Sequence, residues 1–195
     1  MKKHQLIFAT NNKHKLDEVA RLEGLNFTIL GLDDLGFSGD IPEDFETLEE
    51  NAMQKARFIR ERFNMDCFAD DTGLEIDALN GRPGVFSARY AGPQCNPMDN
   101  MNKVLSEMLN QTNHAARFRT VIALIMDGKS YLFEGIMEGV IINEKRGQHG
   151  FGYDPIFQPK GYDLTFAQMD QPTKNSISHR AKATARLSEF LQKRG

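Results

Sequence analysis

Apolar and polar positions along the chain alternate between strand-like runs and helical spacing. "QLIFAT" (5–10) is a short unbroken apolar run that reads as a buried strand, and it stops at "NNKHK". From Lys13 onward Leu16, Val19, Ala20 and Leu22 recur on one helical face, with Gly24 placed to end the helix. "FTIL" (27–30) is the next strand, and "DDLGFSGDIPED" is dense in turn formers. The clearest helix follows, with Phe45, Leu48, Ala52, Ala56, Ile59 and Phe63 spaced by threes and fours. Acidic residues come early in it and arginines late, as the helix dipole favours. "CFA" and "LEIDAL" then read as two strands joined by the turn "DDTG".

A helix is predicted from Pro97 to Leu109, with Asn96 as its cap and proline at its first position. "ARFRTVIALIM" and "SYLFEGIMEGVII" flank Asp127-Gly128, a hairpin signal. Ser178 is placed to cap a final helix whose inner face carries Ala183, Leu187, Phe190 and Leu191. Strands alternate with helices early and a hairpin comes late, which predicts an α/β fold with a mixed sheet.

Composition narrows this picture. A chain of 195 residues with 40% hydrophobic content can bury a full core, and residues 1–195 read as one domain with room for two lobes. The formal net charge of −3 argues against broad electrostatic binding to nucleic acid or an anionic membrane, so any anion site is local. Cys67 and Cys95 form neither a CxxC pair nor a zinc spacing and read as buried thiols of a reducing compartment. The apolar run near the start is too short for a signal peptide and no segment is long enough to span a bilayer, so the expected location is cytoplasmic.

Four segments carry candidate chemistry. "ATNNKHK" sets small polar residues, Lys13 and Lys15 where a strand gives way to a helix, which suits a phosphate; it reads equally as a capped helix with solvated lysines. Asp70 and Asp71 repel each other side by side, so they either sit in a solvated turn or face a cation. Magnesium held at this pair, with Glu43 of "IPED" as either a further oxygen ligand or an ordinary surface acid, would offset them beside a polyphosphate. "GFGYDPIF" (150–157) places Phe151 and Tyr153 among glycines, as core aromatics in a tight turn or as a ring platform for a nucleobase. "KNSISHRAKA" gathers Lys174, His179, Arg180 and Lys182 at a helix start, where cations are unfavourable unless solvated or drawn together by an anion.

"TNNKHK", "ADDTGLEIDALNGRPGVFSARYAG", "FGYDPIF" and "KNSISHR", in that order and at these distances, resemble the inosine triphosphate pyrophosphatase family over nearly the whole chain, Ala9 to Ala183. The resemblance implies an α/β fold with a long twisted mixed β-sheet flanked by helices, in two lobes with a central substrate groove, and a homodimer. It implies Mg²⁺-dependent cleavage of ITP, dITP and XTP to the monophosphate and pyrophosphate, which cleanses the nucleotide pool. Carried over by motif, Asp71 is the proton acceptor and a metal ligand, Glu43 a further metal ligand, and Thr72 a substrate contact. Thr10, Asn11, Asn12, Lys13, His14, Lys15 and Lys174 hold the phosphates and nearby groups. Phe151 stacks on the base, with Gly152 and Tyr153 in the same substrate-binding turn; Asp154 closes the pocket, and His179 with Arg180 contacts the purine edge. Many relatives carry serine at the position of Thr72 and glycine at that of Asn11. Two other readings compete: a single-stranded nucleic-acid-binding module built on the aromatic turn and the Lys174–Lys182 cations, and a related hydrolase of pyrimidine or modified-base triphosphates.

Overall fold

The computed structural model describes residues 4–12, 15, 16, 19 and 27–194. Lys13, His14, Ala20, Leu22 and Gly24 therefore lie outside the described residues, while Leu16 and Val19 are helical and Val19 is buried. Strand β1 (His4–Phe8) pairs in parallel with β2 (Phe27–Leu30), His4 opposite Phe27, and with β3 (Cys67–Ile76), Ile7 opposite Cys67. The remaining strands are β4 (Pro83–Gly84), β5 (Ala115–Met126), β6 (Lys129–Ile141) and β7 (Phe157–Pro159). The sheet order is β2-β1-β3-β5-β6-β7, with β4 antiparallel on β3 and β7 antiparallel on β6, so the α/β fold has the mixed sheet expected of it.

The chain divides into two compact units. The first holds Met1–Asp71, Thr120–Gly135 and Ala181–Gly195; the second holds Thr72–Arg119 and Ile136–Arg180. Leu6, Phe8, Phe68, Ile122, Leu124 and the inner face of the last helix form the core of the first, with Phe8 and Phe68 stacked at 4.4 Å. Leu74, Ile76, Val104, Met108, Phe118, Phe157 and Phe166 form the core of the second.

Helix α1 (Leu48–Phe63) starts because the Thr47 hydroxyl accepts from Glu50 N at 3.2 Å, and it ends at Asn64 in the left-handed conformation. Phe45, expected on its apolar face, instead precedes it and is half-exposed: the cap at Thr47 fixes the start of the helix, and the Phe45 backbone is held by Asn51. Helix α2 (Pro97–Met108) is capped by Asn96, which accepts from Met98 N at 2.9 Å. The β5–β6 hairpin turns on Asp127 (φ 51°) and Gly128 (φ 72°), the two left-handed residues a tight turn of matching twist requires. Two differences from the sequence reading concern the site. "DDTG" is no turn, because β3 runs unbroken from Cys67 to Ile76 through both aspartates. The final helix, α4 (His179–Gln192), starts directly after the extended Ser178 (ψ 154°), as expected, but a separate short helix, α3 (Gln171–Ile177), precedes it.

The cysteines differ from each other. Cys67 is fully buried and its thiol donates to the Ala56 carbonyl at 3.1 Å; burial pushes it up to about 12. Cys95, expected to be buried, is exposed because it sits in the left-handed turn (φ 52°) that leads into α2. Among the described residues no helix is long and apolar enough to cross a membrane.

Candidate active site

In the first unit, β3 presents Asp70 and Asp71, both buried. Burial of adjacent carboxylates is sustained by cations from two other segments. Lys15 Nζ lies 2.9 Å from the Asp70 carboxylate. Lys55 of α1 lies 3.0 Å from Asp71 Oδ1 and 2.5 Å from Glu43 Oε1, bridging the two expected metal ligands.

Glu43 owes its place to the first turns of α1. Asn51 accepts from Phe45 N at 2.9 Å and donates to Phe45 O at 3.1 Å. Gln54 Oε1 accepts from Asp44 N at 2.9 Å, and Gln54 Nε2 donates to Asp44 Oδ2 at 2.6 Å. One face of α1 thus clasps the segment just after Glu43 and sends Lys55 to its carboxylate.

Burial pushes the Asp71 carboxyl upward; Lys55 opposes this and Glu43 adds to it. Burial alone would lower the Lys55 ammonium, but the carboxylates of Asp71, Asp70 and Glu43 hold it above its ordinary value, so it stays charged. Buried Asp71 Oδ2 has no hydrogen-bond partner among the described residues. A buried carboxylate oxygen left without a partner, with a second carboxylate on the same lysine, fits a cation. No three His, Cys, Asp or Glu side chains cage a metal by themselves among the described residues. Magnesium commonly takes one or two carboxylates and keeps its other positions for water and phosphate oxygens, so Asp71 and Glu43 are the groups that would hold it.

The "TNN" segment leaves β1 and turns toward a helix. Asn12 N donates to Thr10 Oγ1 at 3.2 Å, and the Asn12 carbonyl accepts from Lys15 N and Leu16 N at 3.1 and 3.2 Å. Asn11 Nδ2 donates to Gly39 O at 3.2 Å.

In the second unit, the aromatic turn and the cations do meet. Gly150 (φ 80°) and Gly152 (φ 61°) set Phe151 outward, its side chain 42% exposed by residue. Asp154 Oδ2 accepts from Phe151 N at 2.8 Å and from Lys174 Nζ at 2.6 Å, and burial pushes its carboxyl upward against the pull of Lys174. Lys174 Nζ lies 4.9 Å from the Phe151 ring centre, and the Arg180 guanidinium carbon 5.8 Å from it. His179 stacks on Phe118 at 4.7 Å and 14°. The cations expected at one helix start are therefore divided: Lys174 is buried in the last turn of α3, where the dipole favours it, whereas His179 and Arg180 open α4 and are buried, and Lys182 is exposed. Tyr153 turns inward, its hydroxyl donating to Ser87 O at 2.7 Å.

The chain as a whole has relatives. The Ham1 family model matches residues 6–190. The chain belongs to the Ham1 family. A dITP/XTP pyrophosphatase of Flavobacterium psychrophilum is 52% identical over 188 residues, covering 96% of this Ham1 chain and 99% of the relative. One of the same description from Porphyromonas gingivalis is 52% identical over 189 residues, covering 96% and 97%. The solved structure of a HAM1 protein from Coxiella burnetii matches with a TM-score of 0.93 at 37% identity, over 97% of this chain and 99% of that one. The Staphylococcus aureus Ham1 protein matches with a TM-score of 0.91 at 36% identity, over 98% and 100%.

Within this Ham1 chain the expected site residues fall into two groups. Thr10, Asn11, Asn12, Lys15, Glu43, Asp70 and Asp71 lie in the first unit; Thr72, Phe151, Gly152, Tyr153, Asp154, Lys174, His179 and Arg180 lie in the second. Lys55 escaped the sequence reading although its signal was present: it falls on the buried stripe of α1 with Ala52, Ala56 and Ile59. A lysine on a core-facing stripe requires carboxylate partners.

Proposed function

We propose that this protein is a nucleoside triphosphate pyrophosphohydrolase that cleaves ITP, dITP and XTP between the α- and β-phosphates, with magnesium, to a monophosphate and pyrophosphate. The observation that carries the reading is the buried Asp71 with one oxygen on Lys55 and the other without a partner among the described residues. Its relatives of the same length described as dITP/XTP pyrophosphatases support the substrate class.

Asp71 Oδ1 is occupied by Lys55, so Oδ2 is the atom that draws the proton from a water adding to the α-phosphorus. Asp71 and Glu43 would hold magnesium. Bound there, the ion supplies positive charge against the phosphate oxygens as pyrophosphate departs. Lys55 holds both carboxylates in place, and Lys15 adds positive charge on the Asp70 side. Phe151 offers its exposed face to a purine, and the Arg180 guanidinium, a donor only, favours a 6-oxo over a 6-amino edge. The same reading has a homodimer acting in the cytoplasm.

Pyrophosphate release from ITP, dITP, XTP, GTP, ATP and dUTP, with magnesium and with a chelator, tests the proposal. ITP, dITP and XTP are expected to lead, with IMP and pyrophosphate as the products of ITP. Stepwise formation of IDP with orthophosphate overturns α-phosphorus attack, and preference for dUTP overturns the purine assignment.

A further inference from the structure

The turn "GVFSARY" is absorbed by none of the roles above, yet it is tied to two of the segments that carry them. Ser87, at the start of a short 3₁₀ turn (Ser87–Arg89), makes hydrogen bonds to four partners, the longest being to Asn100 Nδ2, which donates to its carbonyl at 3.5 Å. Its hydroxyl accepts from Leu74 N at 2.9 Å and donates to Gly84 O at 2.6 Å. Its carbonyl accepts from the Tyr153 hydroxyl at 2.7 Å. The turn itself is anchored to α2: buried Asn100 donates to Ala88 O at 2.9 Å and accepts from Ala91 N at 2.7 Å.

The bond from Leu74 takes hold of β3 two residues beyond Thr72. There the backbones of β3 and β4 approach so closely that a Cβ at Gly73 would fall 2.6 Å from Gly84 O, which leaves room for glycine alone. The bond from Tyr153 takes hold of the Gly150–Phe157 loop two residues beyond Phe151. Tyr153 is buried and burial pushes its phenol well above the usual range, so its hydroxyl remains a donor throughout the working pH range.

We propose that Ser87 is a positioning residue that fixes the Thr72 strand to the Phe151 loop through its hydroxyl and carbonyl, and that Tyr153 serves the substrate through this tether and not through its ring. The inference rests on reading Phe151 as the platform for the base. A loop held in its binding conformation before the nucleotide arrives need not be ordered by it, so the tether lowers KM. The Tyr153 tether acts on the base side and leaves the chemical step alone. The Ser87 hydroxyl also restrains β3 beside Thr72, so its loss reaches both KM and kcat.

Tyr153→Phe deletes one oxygen, and Ser87→Ala deletes the other arm of the tether. Tyr153→Phe is expected to raise KM for ITP about tenfold with kcat within about twofold of the parent, and Ser87→Ala to raise KM and lower kcat. Amide hydrogen exchange on the nucleotide-free protein reads the brace without reference to activity: the Phe151 amide should exchange about tenfold faster in Tyr153→Phe, and the Leu74 amide likewise in Ser87→Ala. Should Ser87→Ala fail to fold, Tyr153→Phe decides alone. Parent KM in a folded Tyr153→Phe overturns the proposal even if its melting temperature falls, and so does unchanged exchange. If the parent releases no pyrophosphate from ITP, the functional reading fails, while exchange still decides whether the brace exists.

Discussion

Removing the cation that bridges Asp71 and Glu43 tests the electrostatic account of the site most directly. Lys55→Met keeps the length of the side chain and its apolar stem on the α1 stripe while deleting the charge. The Glu43 side chain is 36% exposed and regains water, whereas that of Asp71, at 10%, is left charged and without its lysine. Breaking a buried pair costs about 3–5 kcal/mol, and with one end open the low end, about 3 kcal/mol, is expected. For a chain of this size that is a fall of about 6–12 °C in Tm. Asp71→Asn alone should cost little, since Lys55 keeps Glu43. Added to Lys55→Met it replaces the stranded charge with an amide and should recover about 2 kcal/mol. Urea denaturation at neutral pH in magnesium-free buffer measures all three variants. A single-variant loss below about 1 kcal/mol, or a double variant equal to the sum of the singles within about 0.5 kcal/mol, refutes the reasoning.

The other expectations concern catalysis. Asp71→Asn should reduce ITP turnover about 10²-fold or more with the fold retained, as circular dichroism and single-turnover kinetics would show; a folded variant at near-parent rate removes Asp71 as the base. Phe151→Ala should raise KM about ten- to a hundredfold for ITP, GTP and ATP alike, because stacking ignores the ring substituents, and a loss confined to one base would contradict it. Arg180→Ala should lower kcat/KM for ITP about ten- to a hundredfold more than for ATP, with the ITP to GTP ratio little changed; equal losses on all three would make Arg180 a phosphate clamp.

Elements dictated by local spacing were legible in the sequence: α1, α2, the Asp127-Gly128 hairpin and the strand status of "QLIF" and "FTIL" all follow from periodicity, caps and turn chemistry. What was not legible depended on residues distant in the chain. "DDTG" carries the composition of a turn, and Lys15 and Lys55, 55 and 16 residues away from their carboxylate partners, help it continue as a buried strand. Phe45 fits the stripe of α1, but Thr47 begins the helix after it and Asn51 claims its backbone. Ser178 marks the start of the last helix, but the short helix α3 before it shows no apolar periodicity, so nothing local places Lys174 in a helix of its own. The candidate site residues come as a set from the family resemblance, whereas the tie of Tyr153 to Ser87 spans 66 residues and leaves no trace in either local sequence.

The contrast between the two thiols gives the protein a built-in clock for its own opening. Cys95 stands in solvent and will accept a label at once, whereas Cys67 lies at the first position of β3 with its thiol on the α1 backbone, where neither water nor reagent reaches it. Once Cys95 is capped, any further uptake of reagent counts the moments when α1 lifts from β3. Because that seam also carries the Lys55–Asp71 contact, the rate of uptake reports how often the charged cluster comes apart in a population that every bulk probe sees as folded.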